Sequence, residues 1–177
     1  MIRHLGNFLR RFRNREDGNA TVEFVIVFPA VIGVMLAGVE LTFMTLNHAM
    51  LERAVDVVVR DLRLNTGSNP GHNELKNRIC DKAVFIRQCS TNLKLEMVRQ
   101  DPYAGITLPA VPDCTDLSEE TRPVRQFENG QANELMVLRA CAKINPIFPT
   151  STLGAALAND EGQYALTAMS VFVQEPL

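Results

Sequence analysis

The distribution of apolar positions divides the chain. From Phe24 to Val39 sixteen residues pass without a charge, Glu40 interrupts, and Leu41–Leu46 resumes. As a helix, the 23 residues of 24–46 reach about 34 Å, enough for a bilayer core of about 30 Å. Pro29 and Gly33 lie inside the run; membrane helices tolerate both better than soluble ones do. Beyond the run, Leu51, Ala54, Val55, Val58 and Leu62 recur at steps of three and four, the pattern of an amphipathic helix. Thr66-Gly67-Ser68-Asn69-Pro70-Gly71 then supplies clustered breakers. One helix is predicted from about 20 to 64, its first half in lipid and its second half on a small domain. Val57-Val58-Val59 favours burial over a solvated coiled-coil stalk.

After residue 66 the periods shorten. Asn73 is expected to cap a short helix running to about Phe85, with Glu74 in its first turn. Leu93, Leu95 and Met97 alternate with Lys94 and Glu96, predicting a half-buried strand. Residues 101–133 are rich in Pro, Gly and acids and read as a long loop unable to hold its shape alone. Leu135–Ile144 predicts a second strand, ended by Pro146 and Pro149. A short helix over Ser151–Asn159, a turn at Asp160-Glu161-Gly162 and a third strand over Tyr164–Val173 follow. The expected class is α+β: a long helix packed on a small antiparallel sheet with a short helix.

Charge adds an orientation. The 177 residues carry a net charge of −2. Residues 1–18 hold Arg3, Arg10, Arg11, Arg13 and Arg15 against Glu16 and Asp17, leaving the remainder acidic. The flank at 47–65 is balanced, with Glu52, Asp56 and Asp61 against Arg53, Arg60 and Arg63. The positive-inside rule places the N-terminus in the cytoplasm and the domain outside. A secretory signal is a poor fit: the apolar run is too long, and Asn47-His48-Ala49 makes a weak cleavage site. The arginine cluster closes on an acidic pair and lacks aromatic partners, so no nucleic-acid contact is expected.

All four cysteines, at 80, 89, 114 and 141, fall on the expected outer side, where disulfides persist. Three pairings are possible. The expected one joins Cys80 to Cys89, tying the short helix to the strand start, and Cys114 to Cys141, pinning the acidic loop to the second strand. No metal site or cofactor is expected: there is no C-x-x-C pair, and His72 is the one histidine of the outer domain. His4, His48 and His72 are scattered, and no phosphate loop or nucleophile elbow occurs. Asp113, Asp116, Glu119 and Glu120 lack calcium-loop spacing and read as a solvated acidic loop. Enzymatic activity is not expected.

Two acids are out of place. Glu23 opens the apolar run and Glu40 lies within it; an intramembrane carboxylate is a functional candidate by default. Glu23 is also readable as an interfacial acid at a helix N-terminus, and Glu40 as the boundary of a shorter span. Around Glu23 the string is Arg15-Glu16-Asp17-Gly18-Asn19-Ala20-Thr21-Val22-Glu23-Phe24. A basic leader ending in Gly, a Glu five residues on, an aromatic and then an apolar helix resemble the processing site of type IV prepilins, the Tad/Flp branch in particular. Val22-Glu23-Phe24, Pro29 and Gly38-Val39-Glu40 resemble the N-terminal helix of TadE/TadF pseudopilins. The C-terminal Ala168-Met169-Ser170-Val171-Phe172-Val173-Gln174-Glu175-Pro176 resembles that family's closing strand, with Val173-Gln174 where Arg-Asn is common.

The resemblance implies a pilin-like fold and a cut between Gly18 and Asn19 by a prepilin peptidase on the cytoplasmic side. The cleaved leader is 1–18, the transmembrane helix 19–46, its outer extension 47–65 and the periplasmic disulfide-bonded domain 66–177. It implies a single-pass protein of the bacterial inner membrane and a minor pseudopilin role in assembly or initiation of a Tad/Flp pilus, for adherence or secretion. The implied partners are other pseudopilins, the major pilin and the Tad inner-membrane assembly platform. Glu23, with Phe24 beside it, is expected to attract a neighbouring subunit's N-terminal amine and set register. Glu40 is expected to pair with a partner pseudopilin helix. Methylation of Asn19, the TadE or TadF subtype and entry into the filament stay open. The competing reading is an uncleaved, signal-anchored periplasmic binding protein, which has no need of Gly18 or Glu23.

Overall fold

A computed structural model of the chain describes residues 19–65, 67–112, 114, 127–158 and 162–176. Helix α1 spans Asn19–Leu64, 46 residues with Pro29 inside, about 69 Å at the usual helical rise. Its end is closed by the Asn65 side chain, whose Nδ2 donates to the Asp61 carbonyl at 3.0 Å. Arg63 in the last turn suits the negative end of the helix dipole.

Helix α2 spans His72–Lys82. The expected Asn73 cap is not formed: extended Gly71 takes the cap position without a side-chain bond, and Asn73 Oδ1 turns instead to His72 Nδ1 at 3.2 Å. The helix also stops three residues before Phe85. Ala83 leaves helical geometry, and the Cys80–Cys89 disulfide draws the chain back, with Cα atoms 5.5 Å apart. Gln88, left-handed at φ 49°, turns the chain into a single helical turn, α3, Cys89–Asn92.

Three strands follow: β1 Leu93–Gln100, β2 Leu135–Ile144 and β3 Tyr164–Val173. They form one antiparallel sheet in the order β1-β2-β3. Between β2 and β3 lies helix α4, Thr152–Leu157, capped by Ser151 Oγ accepting from Gly154 N–H at 2.9 Å. Gly154 is required there, since a Cβ would collide with the Phe148 carbonyl. Gly162 has φ +74°, suited to a turn; the preceding Asp160 and Glu161 of the expected turn lie outside the described residues.

One face of the sheet packs on the second half of α1. Leu51, Val55, Val58 and Leu62 meet Leu95, Met136, Leu138, Leu166 and Phe172 in a continuous core, closed laterally by Leu75 and Ile79 of α2. The stripe follows the spacing read from the sequence, because only those α1 positions share one face. Val58 and Val59 are buried and Val57 is exposed, so this half is no solvated stalk.

β1 departs from its expected half-burial: Leu93 to Val98 are buried on both faces. On the face away from α1, Glu96 pairs in register with Arg139. Arg139 Nε donates to Glu96 Oε2 at 2.6 Å, and Arg139 Nη1 to the Pro109 carbonyl at 2.8 Å. Thr107 N–H donates to Gln100 Oε1 at 2.8 Å. Cys114 is disulfide-bonded to Cys141, with Cα atoms 5.1 Å apart. Phe127 bridges Met97, and Glu128 N–H donates to the Met97 carbonyl at 2.9 Å. The described parts of the 101–133 loop thus form a strap, fastened over the outer sheet face by the Arg139–Pro109 hydrogen bond and the Cys114–Cys141 disulfide and to the edge of β1 by the Met97–Phe127 bridge.

Both partners of the Glu96–Arg139 pair are about nine-tenths buried. Removing one leaves the other charge buried without compensation, at about 3–5 kcal/mol. Arg139→Met is expected to lower the unfolding free energy of the full chain in detergent by roughly that amount, measured by urea denaturation. A change within about 0.5 kcal/mol would contradict the buried-pair account.

Candidate functional site

The folded mass sits at one end of α1 and leaves the other end bare. From Ala20 to Val39 the helix is exposed apart from partial cover at Ile32, Leu36 and Ala37. These 20 residues cover about 30 Å, the thickness of a bilayer core. α1 is long and apolar enough to cross a membrane, and none of its most apolar 18-residue window is buried in the fold. Its exposed Val22, Phe24, Val25, Ile26, Phe28, Val31, Val34 and Met35 exceed the apolar patches common on soluble surfaces.

Near the start of this segment, Ala20, Glu23, Phe24, Val27, Phe28 and Val31 line a shallow groove of about 360 Å³. Their spacing of three and four places them on one side of the helix. Phe24 and Phe28 stack with ring centroids 4.9 Å apart, and Glu23 is exposed beside them. Asn19 begins α1. Gly18 and the rest of the 1–18 leader, including His4, lie outside the described residues.

Glu40 marks the junction, and its position corrects the expected pairing with another subunit's helix. It is fully buried within its own chain. Its Oε1 accepts from Ile147 N–H at 3.1 Å and its Oε2 from Phe148 N–H at 2.9 Å. Both carboxylate oxygens thus serve the segment between β2 and α4, where Pro146 removes one donor and turns the chain so that the next two amides face the helix. The domain therefore reaches α1 at Glu40, six residues before the expected boundary at 46, and the bare apolar segment is shorter than expected.

Sequence reasoning missed two polar groups near Glu40. Asn47, one heptad along α1, is fully buried; its Nδ2 donates to the Phe43 carbonyl at 2.8 Å, while its Oδ1 has no partner in the fold. Tyr164, at the start of β3, is 5% exposed and its hydroxyl is likewise unpartnered. Burial pushes this phenol up to about 12, and the negative charge of Glu40 adds to the rise. The available signal was the phase of Glu40 and Asn47, which fall on the stripe that carries Leu51 and Ala54.

The remaining candidates are dispersed. His48 Nε2 lies 3.1 Å from the Thr167 carbonyl and 3.6 Å from Glu52, on the side of β3. His72 Nε2 accepts from Leu95 N–H at 3.4 Å, with its ring edge-on to Phe127. Burial lowers the His72 pKa, against the opposing hydrogen bond to Asn73. Among the described residues no group of three His, Cys, Asp or Glu side chains is placed to hold a metal ion. Asp113, Asp116, Glu119 and Glu120 lie outside the described residues. At the far end of the domain, Gln174 Nε2 donates to the Leu62 carbonyl at 2.9 Å, and Arg63 pairs with Glu175 at 2.8 Å. The closing strand is thereby fastened to the last turn of α1.

Glu40→Gln keeps the shape of the side chain and replaces one of its two acceptors by a donor. Hydrogen bonds to charged groups contribute about 1.5–3 kcal/mol, and a donor facing a donor loses its bond altogether. One of the Ile147 and Phe148 amides is expected to exchange with solvent at least tenfold faster in this variant. The expected readout is amide hydrogen exchange of the full chain in detergent, with Leu138 in β2 as an unchanged internal reference. Wild-type protection at both amides would contradict the contact.

The family model described as TadE-like protein matches residues 18–60, about a quarter of the chain. No curated protein and no solved structure matches. The matched segment runs from Gly18 through the bare apolar half of α1 and the Glu40 junction into the stripe that carries the sheet. That segment is similar to the TadE-like family, and a long N-terminal apolar helix bearing a small α+β domain is consistent with a TadE-like Tad pilus protein.

Proposed function

We propose that the chain is a minor pseudopilin: a prepilin peptidase cuts it after Gly18, and the product takes part in assembly or initiation of a Tad pilus. The observation that carries this reading is the bare helix. A largely apolar segment of 20 residues begins at Ala20, two positions after Gly18, with all the described folded mass at the opposite end. A plain anchor needs the apolar length but gains nothing from a carboxylate at its start. In this reading the N-terminus faces the cytoplasm and the domain the periplasm, as the arginine-rich leader favours. The role is assembly rather than catalysis. The partners are the peptidase, other pseudopilins, the major pilin and the Tad inner-membrane platform.

Cleavage would make Asn19 both the first residue and the start of α1. A free ammonium at a helix N-terminus opposes the helix dipole. A carboxylate from a neighbour compensates it, and Glu23, one turn along, is the acid available at that level. Two unit charges about 4 Å apart attract by about 4 kcal/mol at an effective dielectric constant near 20. Desolvation offsets much of this, so the pair sets register more than it adds affinity.

The test is the N-terminal residue and intact mass of the protein from cells with and without the peptidase. A peptidase-dependent start at Asn19 is expected. An intact Met1, or a cut beyond Leu46, in peptidase-positive cells would favour the anchored alternative. Glu23→Gln is expected to be cut at the same bond yet to lose most of its crosslinking to partner pilins. Unchanged co-assembly at wild-type level would remove Glu23 from the mechanism.

A further inference from the structure

A cleft of about 820 Å³ opens where the domain meets α1, within the usual size of small-ligand sites. Its walls include Phe43 of α1, Phe85 and Arg87 of the α2–α3 connection, Asn92 of α3, and Lys143 and Ile147 at the end of β2 and just beyond it. Among the described residues no acid lines it. The Glu40 carboxylate holds Ile147 against the helix and so sets one wall.

Asn92 is more than nine-tenths buried, and its Nδ2 donates to the Arg87 carbonyl at 3.0 Å, fixing the backbone beneath Arg87 at the cleft wall. The guanidinium of exposed Arg87 supplies a fork matched to a phosphate, and Lys143 adds a second positive charge to the lining. Phe43, half-exposed Phe85 and Ile147 supply apolar wall.

The depth of the cleft narrows the choice. With α1 read as spanning the membrane, as proposed above, the bare segment ends at Val39. Phe43 lies four residues further, about 6 Å along the axis, inside a headgroup layer about 5–8 Å thick. The cleft then stands at the level of lipid phosphates, with Val84 (75% exposed) and Phe85 beside it.

We infer that this cleft is a binding site for the headgroup of an anionic glycerophospholipid, the phosphatidylglycerol class. The phosphodiester sits against Arg87, with Lys143 at the same wall and, among the described residues, no acid in the lining to oppose a net negative headgroup. The apolar wall takes the glycerol end and the first acyl carbons. Phosphatidylcholine and phosphatidylethanolamine carry the phosphate but no net negative charge.

The test is native mass spectrometry of the full chain in detergent, supplied in turn with phosphatidylglycerol, phosphatidylethanolamine, phosphatidylcholine or inorganic phosphate. Retention of phosphatidylglycerol is expected to exceed that of phosphatidylethanolamine and of phosphatidylcholine at least fivefold. Arg87→Glu is expected to lower phosphatidylglycerol retention about tenfold, and Arg53→Glu, exposed on α1 away from the cleft, to leave it unchanged. Equal retention of the lipids, or an unaffected Arg87→Glu, would overturn the inference. So would displacement of the lipid by equimolar inorganic phosphate, which would assign the cleft to a free anion. Alkaline extraction of the same membranes separates the two levels. A chain retained in the membrane without headgroup selectivity overturns this inference alone. A chain released by the wash overturns the spanning reading and this inference together.

Discussion

A carboxylate at the end of a 20-residue apolar segment decides how the rest of the molecule is mounted. Glu40 is completely buried, and both its oxygens accept backbone amides from the segment after β2. Taking a carboxylate out of water costs several kcal/mol unless donors replace the lost hydration. Ile147 and Phe148 provide that replacement. They lie beside Pro146, where the sheet ends and α4 has yet to begin. The contact therefore joins bare helix, core stripe and sheet at one point. Below it α1 meets no core of its own; above it every turn contributes to one.

A similar economy governs the outer sheet face. A three-stranded sheet packed on one helix leaves its second face to water, and a small domain gains little from a single buried face. Here the strap closes part of that face over the Glu96–Arg139 pair, held by the Arg139 bond to the Pro109 carbonyl and by Cys114–Cys141. It covers β1 and β2 more than β3, where Met169, Val171 and Val173 stay exposed. The segment with the least regular sequence thus completes the burial of the most regular one.

Elements with a strong local cause were legible in the sequence. β2 and β3 are bounded by prolines and a glycine turn and carry long β-branched or aliphatic runs, and their ends fall where alternation and breakers put them. α1 was legible because its two halves share a helical period although they face different surroundings. What was lost depends on the third dimension. Asn73 has the chemistry of a cap, but Gly71 already holds the extended geometry a cap requires. Lys94 and Glu96 look solvated until Arg139 and the strap are placed over them. Glu40 read as an acid seeking a partner, which it is; sequence periodicity has no means of saying that the partner comes from 107 residues away in the same chain.

The unbroken course of α1 links two surfaces that never touch. At about 100° per residue, the side of the helix carrying Ala20, Glu23, Phe24, Val27 and Phe28 is rotated roughly 170° from the side carrying Glu40, Asn47, Leu51 and Val58. The groove near the N-terminus thus looks away from the folded domain. A neighbour lying along that groove approaches from the clear side of the rod, and the domain leans outward from the contact instead of wedging the helices apart. Adding or deleting one residue between Glu23 and Glu40 would turn the domain by about 100° relative to that groove while leaving every contact within the domain intact. The length of the bare segment is therefore also an angular setting.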